Sequence, residues 1–206
     1  FALVSLLIIN ILAFTVAYLL TKGIKGSNIF RTVFFMPNLI GGIVLGYIWS
    51  MIFDGILSRY NTSILLNSTY GFWGLIILMA WQQIGYMMII YIAGLQAVPG
   101  DMLEAAKIDG ASEWKTLWDI IIPNVMPSIT ICTFLTLTNS FKLYDQNLAL
   151  TNGRPYNGAI HTTEMLALNI VNSNTLKTKG VGQAKAVMFF VLVALIGIFQ
   201  MKSTHD

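Results

Sequence analysis

Between Asn61 and Gly100, a run with no charged side chain, stand Gln82, Gln83 and Tyr86; in a second such run, Ile120 to Phe141, stand Thr136, Asn139 and Ser140. Amides, hydroxyls and a phenol can all donate and accept hydrogen bonds. Gln83 and Tyr86 are three apart, with Gln82 beside them, and Thr136, Asn139 and Ser140 follow i, i+3, i+4, spacings that share one side of a helix. The chemistry open to them is recognition of a polar solute, with Tyr86 offering a flat ring as well as a hydroxyl and Asn139 a two-way partner. They could equally bond neighbouring helices, at about 0.6 kcal/mol each. Lys142 and Asp145 add one charge of each sign beyond Phe141. Ionisable residues at such depth face a cavity or snorkel to an interface, and here they are placed to guard an outer mouth.

Covalent chemistry is poorly served. No GxxxxGK[ST] phosphate loop occurs, so nucleotide hydrolysis has no seat in this chain. His161 and Glu164 stand as HTTE and not as HExxH, which leaves them as solvated loop residues and gives no metal site. Cys132 is the single cysteine and cannot form an internal disulfide. No pair of acids, and no nucleophile with its base, lies within the apolar runs, so no catalytic residue is assigned and no cofactor is expected on the chain. An ion-coupled secondary transporter is the alternative, but it calls for an ion site near a span's midpoint, and none of the runs carries a carboxylate there.

The elements that hold these groups follow from composition. The 206 residues are 56% hydrophobic and 10% charged, against roughly 25% charged in a soluble domain. Charge is absent from Phe1 to Thr21, Thr32 to Phe53, Asn61 to Gly100, Ile120 to Phe141 and Ala186 to Met201. A spanning helix needs about 20 apolar residues, so five spans are expected, the last recruiting Gly180 to Lys185. The expectation is an all-α membrane protein, one polytopic helical bundle over 1–206. The first run lacks the basic leader of a signal peptide and four more follow it. A start at Phe1 instead of Met suggests a piece of a longer chain, with an earlier helix missing and six or more spans in all. The net charge of +3 is scattered, with no basic run to bind nucleic acid.

Positive residues favour the cytoplasmic side of short loops. Lys22, Lys25 and Arg31 put the first loop inside, and alternation adds Lys107, Lys115 and Lys202. Arg59, Arg154, Lys177 and Lys179 then fall outside, while Lys142 and Lys185 sit within or beside spans. The C-terminus is expected in the cytoplasm. Gly42 and Gly46 form a GxxxG pair suited to close helix approach, within the chain or at a subunit interface.

One expected cytoplasmic loop, about 99–123, concentrates acids: DMLEAAKIDGASEWKTLWDIIIP. Pro99 and Asp101 mark a helix start, with Asp101 as cap and Glu104 reaching back. The helix runs Met102 to Asp109, and Gly110 supplies the positive φ that closes it. Ser112 caps a second helix whose Trp114, Leu117, Trp118 and Ile121 form an apolar stripe. Pro123 then breaks or bends the chain before it re-enters the membrane. The result is a helix-turn-helix that either rests on the bilayer and bundle or docks in another protein's groove.

Glu104, Ala105, Ala106, Asp109, Gly110, Ala111 and, thirteen residues after the glycine, Pro123 resemble the EAA loop in membrane subunits of ABC importers. GYMMIIYIAGLQAVPGDMLEAA (85–106), FKLYD (141–145), TNGRP (151–155) and FRTVFFMPNLIGGIVLGYIWSMIF (30–53) are similar to segments of the carbohydrate-uptake, maltose-type permeases, from that family's second helix onward. Arg154 departs from it, standing at the second glycine of a Gly-Gly-Pro turn. The resemblance implies a permease subunit of a prokaryotic cell membrane, in contact with membrane lipid and working without catalysis of its own. It implies a second homologous permease, two ATP-binding subunits that use ATP and Mg, and an extracytoplasmic solute-binding protein that delivers a sugar. The EAA residues become the ATPase-coupling contact. Gln83, Tyr86, Thr136, Asn139, Ser140, Lys142 and Asp145 become the substrate pathway.

Overall fold

The structure, a computed structural model, describes residues 1–157, 160–161, 163–174 and 178–205; the side chains of 156, 157, 160, 161 and 199–205 lie outside that description. Its helices are α1 Ala2–Thr21, α2 Ser27–Phe35, α3 Gly42–Leu57, α4 Ser68–Gln96, α5 Gly100–Ile108, α6 Glu113–Thr116, α7 Ile122–Phe141, α8 Asp145–Leu150, α9 Leu166–Ser173 and α10 Lys179–His205. A short antiparallel hairpin, β1 Tyr156–Asn157 with β2 Ile160–His161, lies between α8 and α9.

Among the described residues, four helical segments are long and apolar enough to cross a membrane: Ala2–Thr21, Ser68–Gln96, Glu113–Phe141 and Lys179–Ile198. The span expected from Thr32 to Phe53 is not one straight helix. It is a bent pair, Ser27–Leu39 and Gly42–Tyr60, whose axes turn by 101°, so five spans result only if the pair is taken as one. The cause is local. Pro37 sits in a 3-10 turn, Met36–Leu39, Ile40 is extended at φ −86 and ψ 132, and Gly41 precedes the next helix. Proline removes a backbone donor and glycine weakens helix continuation.

The core is the triangle of α1, α4 and α7. On α1, Ser5, Ile9, Ala13 and Ala17 repeat every four residues and are wholly buried. Such small residues let a neighbouring helix approach closely. Against them α4 packs Leu75, Leu78, Met79, Met87, Met88 and Tyr91, and α7 adds Val125 and Cys132. Polar groups seam the triangle. Asn10 Nδ2 donates to the Leu6 carbonyl at 2.8 Å and to Thr136 Oγ1 at 3.3 Å, and Tyr91 Oη donates to Asn10 Oδ1 at 2.7 Å. The Ser5 and Ser140 hydroxyls meet at 3.0 Å.

Pro123 does not break the chain. Residues 113–141 run as one helical segment because Leu117–Ile121 widens into a π turn, with Pro123 placed in the first turn of α7. A π turn relieves the clash a proline ring makes with the preceding turn. Asn124 Nδ2 adds a bond to the Ile120 carbonyl at 2.7 Å. The GxxxG pair packs within the chain: an added Cβ on Gly42 would lie 2.8 Å from Asp145 Cβ, and one on Gly46 2.5 Å from Ala149 Cβ. Lys177, counted as an outer charge, falls outside the described residues.

Candidate functional site

α7 ends at Phe141, and Lys142 to Tyr144 connect it to the six-residue α8. Gly42 and Gly46 bring α8 against α3, and this places a polar loop beside the middle of α4. The space between is a cavity of about 350 Å³ lined by Asn38, Gln82, Gln83, Asn139, Lys142, Leu143, Tyr144, Asp145 and Gln146. Asn139 Nδ2 donates to Gln83 Oε1 at 3.3 Å. Gln146 Nε2 donates to Gln82 Oε1 at 2.7 Å, and Gln82 Nε2 to the Ile40 carbonyl at 3.3 Å. An amide carries two N–H donors and two acceptor lone pairs. The Asn139–Gln83 bond uses one donor and one lone pair, so the rest of that pair's capacity is open to a solute.

The expected pathway residues divide. Gln83, Asn139, Lys142 and Asp145 line the cavity. Thr136 and Ser140 do not: both are buried and bond to α1, through Asn10 and Ser5. Their geometry is that of helix-to-helix bonds. Tyr86 is 37% exposed and off the cavity wall. Asn139 and Ser140 occupy the last turn of α7 and not its middle, and Lys142 and Asp145 belong to the wall beside central α4 and do not form a separate outer rim. Asn38 and Gln146 were missed. Asn38 follows the Pro37 break and Gln146 follows Asp145, so a search for amides next to helix breaks would have found them.

The acidic segment folds into a hairpin. α5 runs Gly100–Ile108 with Pro99 at its N-cap, and no side chain caps it: Asp101 lies inside the first turn, two residues past the cap position, and the capping box with Glu104 does not form. Its other end is regular. Gly110 has φ +72, its N–H bonds the Lys107 carbonyl at 3.2 Å, and the Ala111 N–H bonds the Ala106 carbonyl at 2.9 Å. This is the Schellman closure that a glycine favours. Ser112 Oγ accepts from the Lys115 amide at 3.2 Å, capping α6 as expected. Between the two arms lies a concavity of about 640 Å³, lined in part by Ala105, Ala106, Asp109, Gly110, Ala111 and Lys115. Glu104 is exposed on α5 and Pro123 is exposed on α7. The tryptophan stripe is only half buried, with Ile121 inside and Trp114 and Trp118 68% and 53% exposed.

One ion pair ties the hairpin to the bundle. Lys22 Nζ, at the end of α1, donates to Glu113 Oε2 at 2.7 Å and sits 4.8 Å from the centre of the Tyr18 ring. The hydrogen bond to the Glu113 carboxylate holds the Lys22 ammonium above the usual lysine range. On the opposite side of the chain, Glu164 accepts from the side-chain amides of Asn169 and Asn172, while the His161 side chain lies outside the described residues.

Known proteins align with this architecture along its whole length. A probable starch degradation products transport system permease protein, AmyD of Thermoanaerobacterium thermosulfurigenes, is 42% identical over 214 residues, covering 100% of this chain and 72% of that one. A trehalose/maltose transport system permease protein, MalF of Thermococcus litoralis, is 29% identical over 212 residues, covering 98% and 70%. In fold, the chain is similar to a subunit of a bacterial ABC transporter involved in the import of the acidic polysaccharide alginate, with a TM-score of 0.79 at 17% identity over 99% of this chain and 75% of that one. An amino acid ABC transporter gives 0.64 at 15% identity, over 99% and 87%. The family described as "Binding-protein-dependent transport system inner membrane component" matches residues 3–201, and the chain belongs to that family.

Proposed function

We propose that the chain is one of two permease subunits in an ATP-driven importer of a prokaryotic cell membrane, and that its cargo is a sugar or oligosaccharide. The observation that carries the cargo reading is the amide-lined cavity beside the helix breaks. A sugar presents hydroxyls at every edge, and neutral amides can donate to and accept from them without the desolvation penalty of a buried charge. The names of the relatives, for starch degradation products and for trehalose and maltose, support the same class.

In this reading an extracytoplasmic binding protein delivers the sugar to the side of α9 and the β1–β2 hairpin, and two separate ATP-binding subunits, using ATP and Mg, sit against the α5–α6 hairpin. Glu104, Ala105, Ala106, Asp109, Gly110 and Ala111 form or shape the contact, and Pro123 sets the exit of the chain into α7. A second, homologous permease supplies the other half of the path, lipid covers the remaining apolar faces, and the C-terminus is cytoplasmic. A rigid polar protrusion suits this task, because force from a soluble motor must enter an apolar bundle through a defined contact.

The test is reconstitution in proteoliposomes with the ATPase, the second permease and the binding protein, using maltooligosaccharides as the first probe. Uptake that needs all four components is expected. Asn139→Ala and Gln83→Ala should lower uptake by about tenfold, the worth of one or two hydrogen bonds to a solute, while assembly stays intact. Uptake driven by an ion gradient without ATP, or uptake without the second permease, would overturn the proposal.

A further inference from the structure

Asn147 does not line the cavity, yet it is wholly buried and its amide is closely bonded. Its Nδ2 donates to Thr151 Oγ1 at 3.0 Å and to the Thr163 carbonyl at 2.8 Å, and its Oδ1 accepts from the Met165 amide at 2.9 Å. Around it the chain closes on itself. Thr163 Oγ1 donates to the Arg154 carbonyl at 2.6 Å, and the Asn152 amide bonds the Asn147 carbonyl at 2.8 Å. Thr151 and Thr163 are themselves buried. The knot seats on α4 at Gly71, where an added Cβ would stand 2.8 Å from Thr163 Cγ2.

An apolar residue would pack α8 without the cost of burying an amide. What the bonded amide adds is a defined geometry between α8 and residues 151–154 and 163–165, since each of its bonds fixes direction as well as distance. Immediately before it on α8 stand Asp145 and Gln146, both on the cavity wall. Gln146 bonds Gln82, and Gln82 bonds the Ile40 carbonyl at the break between α2 and α3. Gly42 and Gly46 press α3 onto the same short helix. Hydrogen bonds thus run from the outer segment through Asn147 to α8, and from α8 through α4 to the bend at Ile40. A contiguous hydrogen-bonded element of this kind is able to carry coupling between distant sites.

We propose that Asn147 is a positioning residue for transport: it ties residues 151–154 and 163–165 to α8, so that a protein bound to them shifts Asp145 and Gln146 on the cavity wall. The inference rests on the importer reading. Asn147 touches neither solute nor partner in this scheme; it makes the position of one depend on the position of the other.

The experiment uses the full importer in proteoliposomes, with Asn147→Leu and Thr163→Val in this subunit and a binding protein loaded with maltooligosaccharide. Assembly is read by co-purification, and ATP hydrolysis is measured with and without the loaded binding protein. In Asn147→Leu, basal hydrolysis should match the unaltered complex while stimulation by the binding protein falls about tenfold, within the usual range of a coupling between sites. The loss should lie in the maximal rate, with the KM for binding protein unchanged. Thr163→Val should move the same way by a smaller factor. An assembled Asn147→Leu complex with full stimulation, or a loss confined to KM, would overturn the proposal. If Asn147→Leu does not assemble, Thr163→Val decides by the same two readings. Absence of ATP-driven uptake by the unaltered assembly would instead overturn the importer reading, and this inference with it.

Discussion

Gly110 offers the cleanest test of the hairpin, because its surroundings isolate one physical cause. Its φ is +72, and a Cβ built there would meet nothing within 4 Å. A substitution therefore meets no steric neighbour in the chain, and its cost is confined to the backbone. An L residue in the left-handed region costs about 1 to 2 kcal/mol. A β-branched residue lies at or above the top of that range, whereas Asn is several-fold enriched there. The turn could escape strain only by giving up the Gly110–Lys107 and Ala111–Ala106 bonds, together worth about 1 to 3 kcal/mol. Both routes cost about the same, so Gly110→Val should depopulate the native turn by roughly 5- to 30-fold, with Gly110→Ala next and Gly110→Asn close to the unaltered protein. The assay is stimulated ATP hydrolysis and sugar uptake by the reconstituted importer, with membrane insertion checked separately. Insertion should be unaffected. Val-substituted complexes with normal uptake and stimulation would refute the coupling role. Read on the isolated permease by hydrogen exchange at the Gly110 and Ala111 amides, where no partner covers the turn, an Asn variant as perturbed as the Val variant would refute the backbone argument.

Three further outcomes are expected. Gly85→Ala places a Cβ 1.9 Å from the Phe34 carbonyl oxygen, a backbone atom that cannot rotate away, so the cost should reach or exceed the upper end of the ~1 to 3 kcal/mol typical of overpacking; unfolding in detergent or SDS should show a lower midpoint. Gly55→Ala, on α3 with nothing within 4 Å, should be neutral or stabilising by up to ~1 kcal/mol from helix propensity, so equal losses at the two sites would refute the close-packing account. Lys22→Glu should loosen the hairpin and lower stimulated hydrolysis, and adding Glu113→Lys should restore it; failure of the double reversal to improve on the single one would mean that the ion pair has no positioning role.

The spans and the hairpin were legible for a simple reason: each is encoded locally. An unbroken run without charge marks a membrane-length apolar segment wherever its neighbours lie, although the bend at Pro37 to Gly41 splits the run Thr32 to Phe53 in two; Gly110 and Ser112 form their turn and cap within a few residues of themselves. The capping box at Asp101 failed by two residues, because Pro99 had already set the N-cap. The partition of polar residues on α7 was not legible. Successive helical residues turn by about 100°, so Asn139 and Ser140 face different neighbours although both belong to an i, i+3, i+4 set. Ser140 and Thr136 turn toward α1, where Ser5 and Asn10 complement them, and Asn139 turns toward Gln83. Only the position of α1 decides which hydroxyl closes a helix pair and which amide meets a cavity. Tyr86 illustrates the same limit: its ring suits a sugar, but Gly85 brings the backbone of α2 against α4 at its side, and Tyr86 is not among the residues that line the cavity.

Helix breaks locate the cavity better than side-chain polarity does. Within a membrane, backbone that leaves the helix is tolerated only where it is buried in protein or lines a polar cavity. This chain leaves the helix inside one apolar run at Pro37 to Gly41 and at the end of another at Lys142 to Tyr144. The breaks are far apart in sequence, yet the structure brings them to the same cavity, with Asn38 beside one and Lys142 to Tyr144 forming the other. Gln82 and Gln146 then join them, the first bonding the Ile40 carbonyl and the second bonding Gln82. The freed carbonyl at the first break is satisfied by an amide that also holds the helix following the second. Each break thus stabilises the other, and the cavity lies where the two meet. At Pro123, by contrast, the π turn keeps the backbone helical, and the Ile120 carbonyl is met locally by Asn124 and not by a side chain from across the bundle.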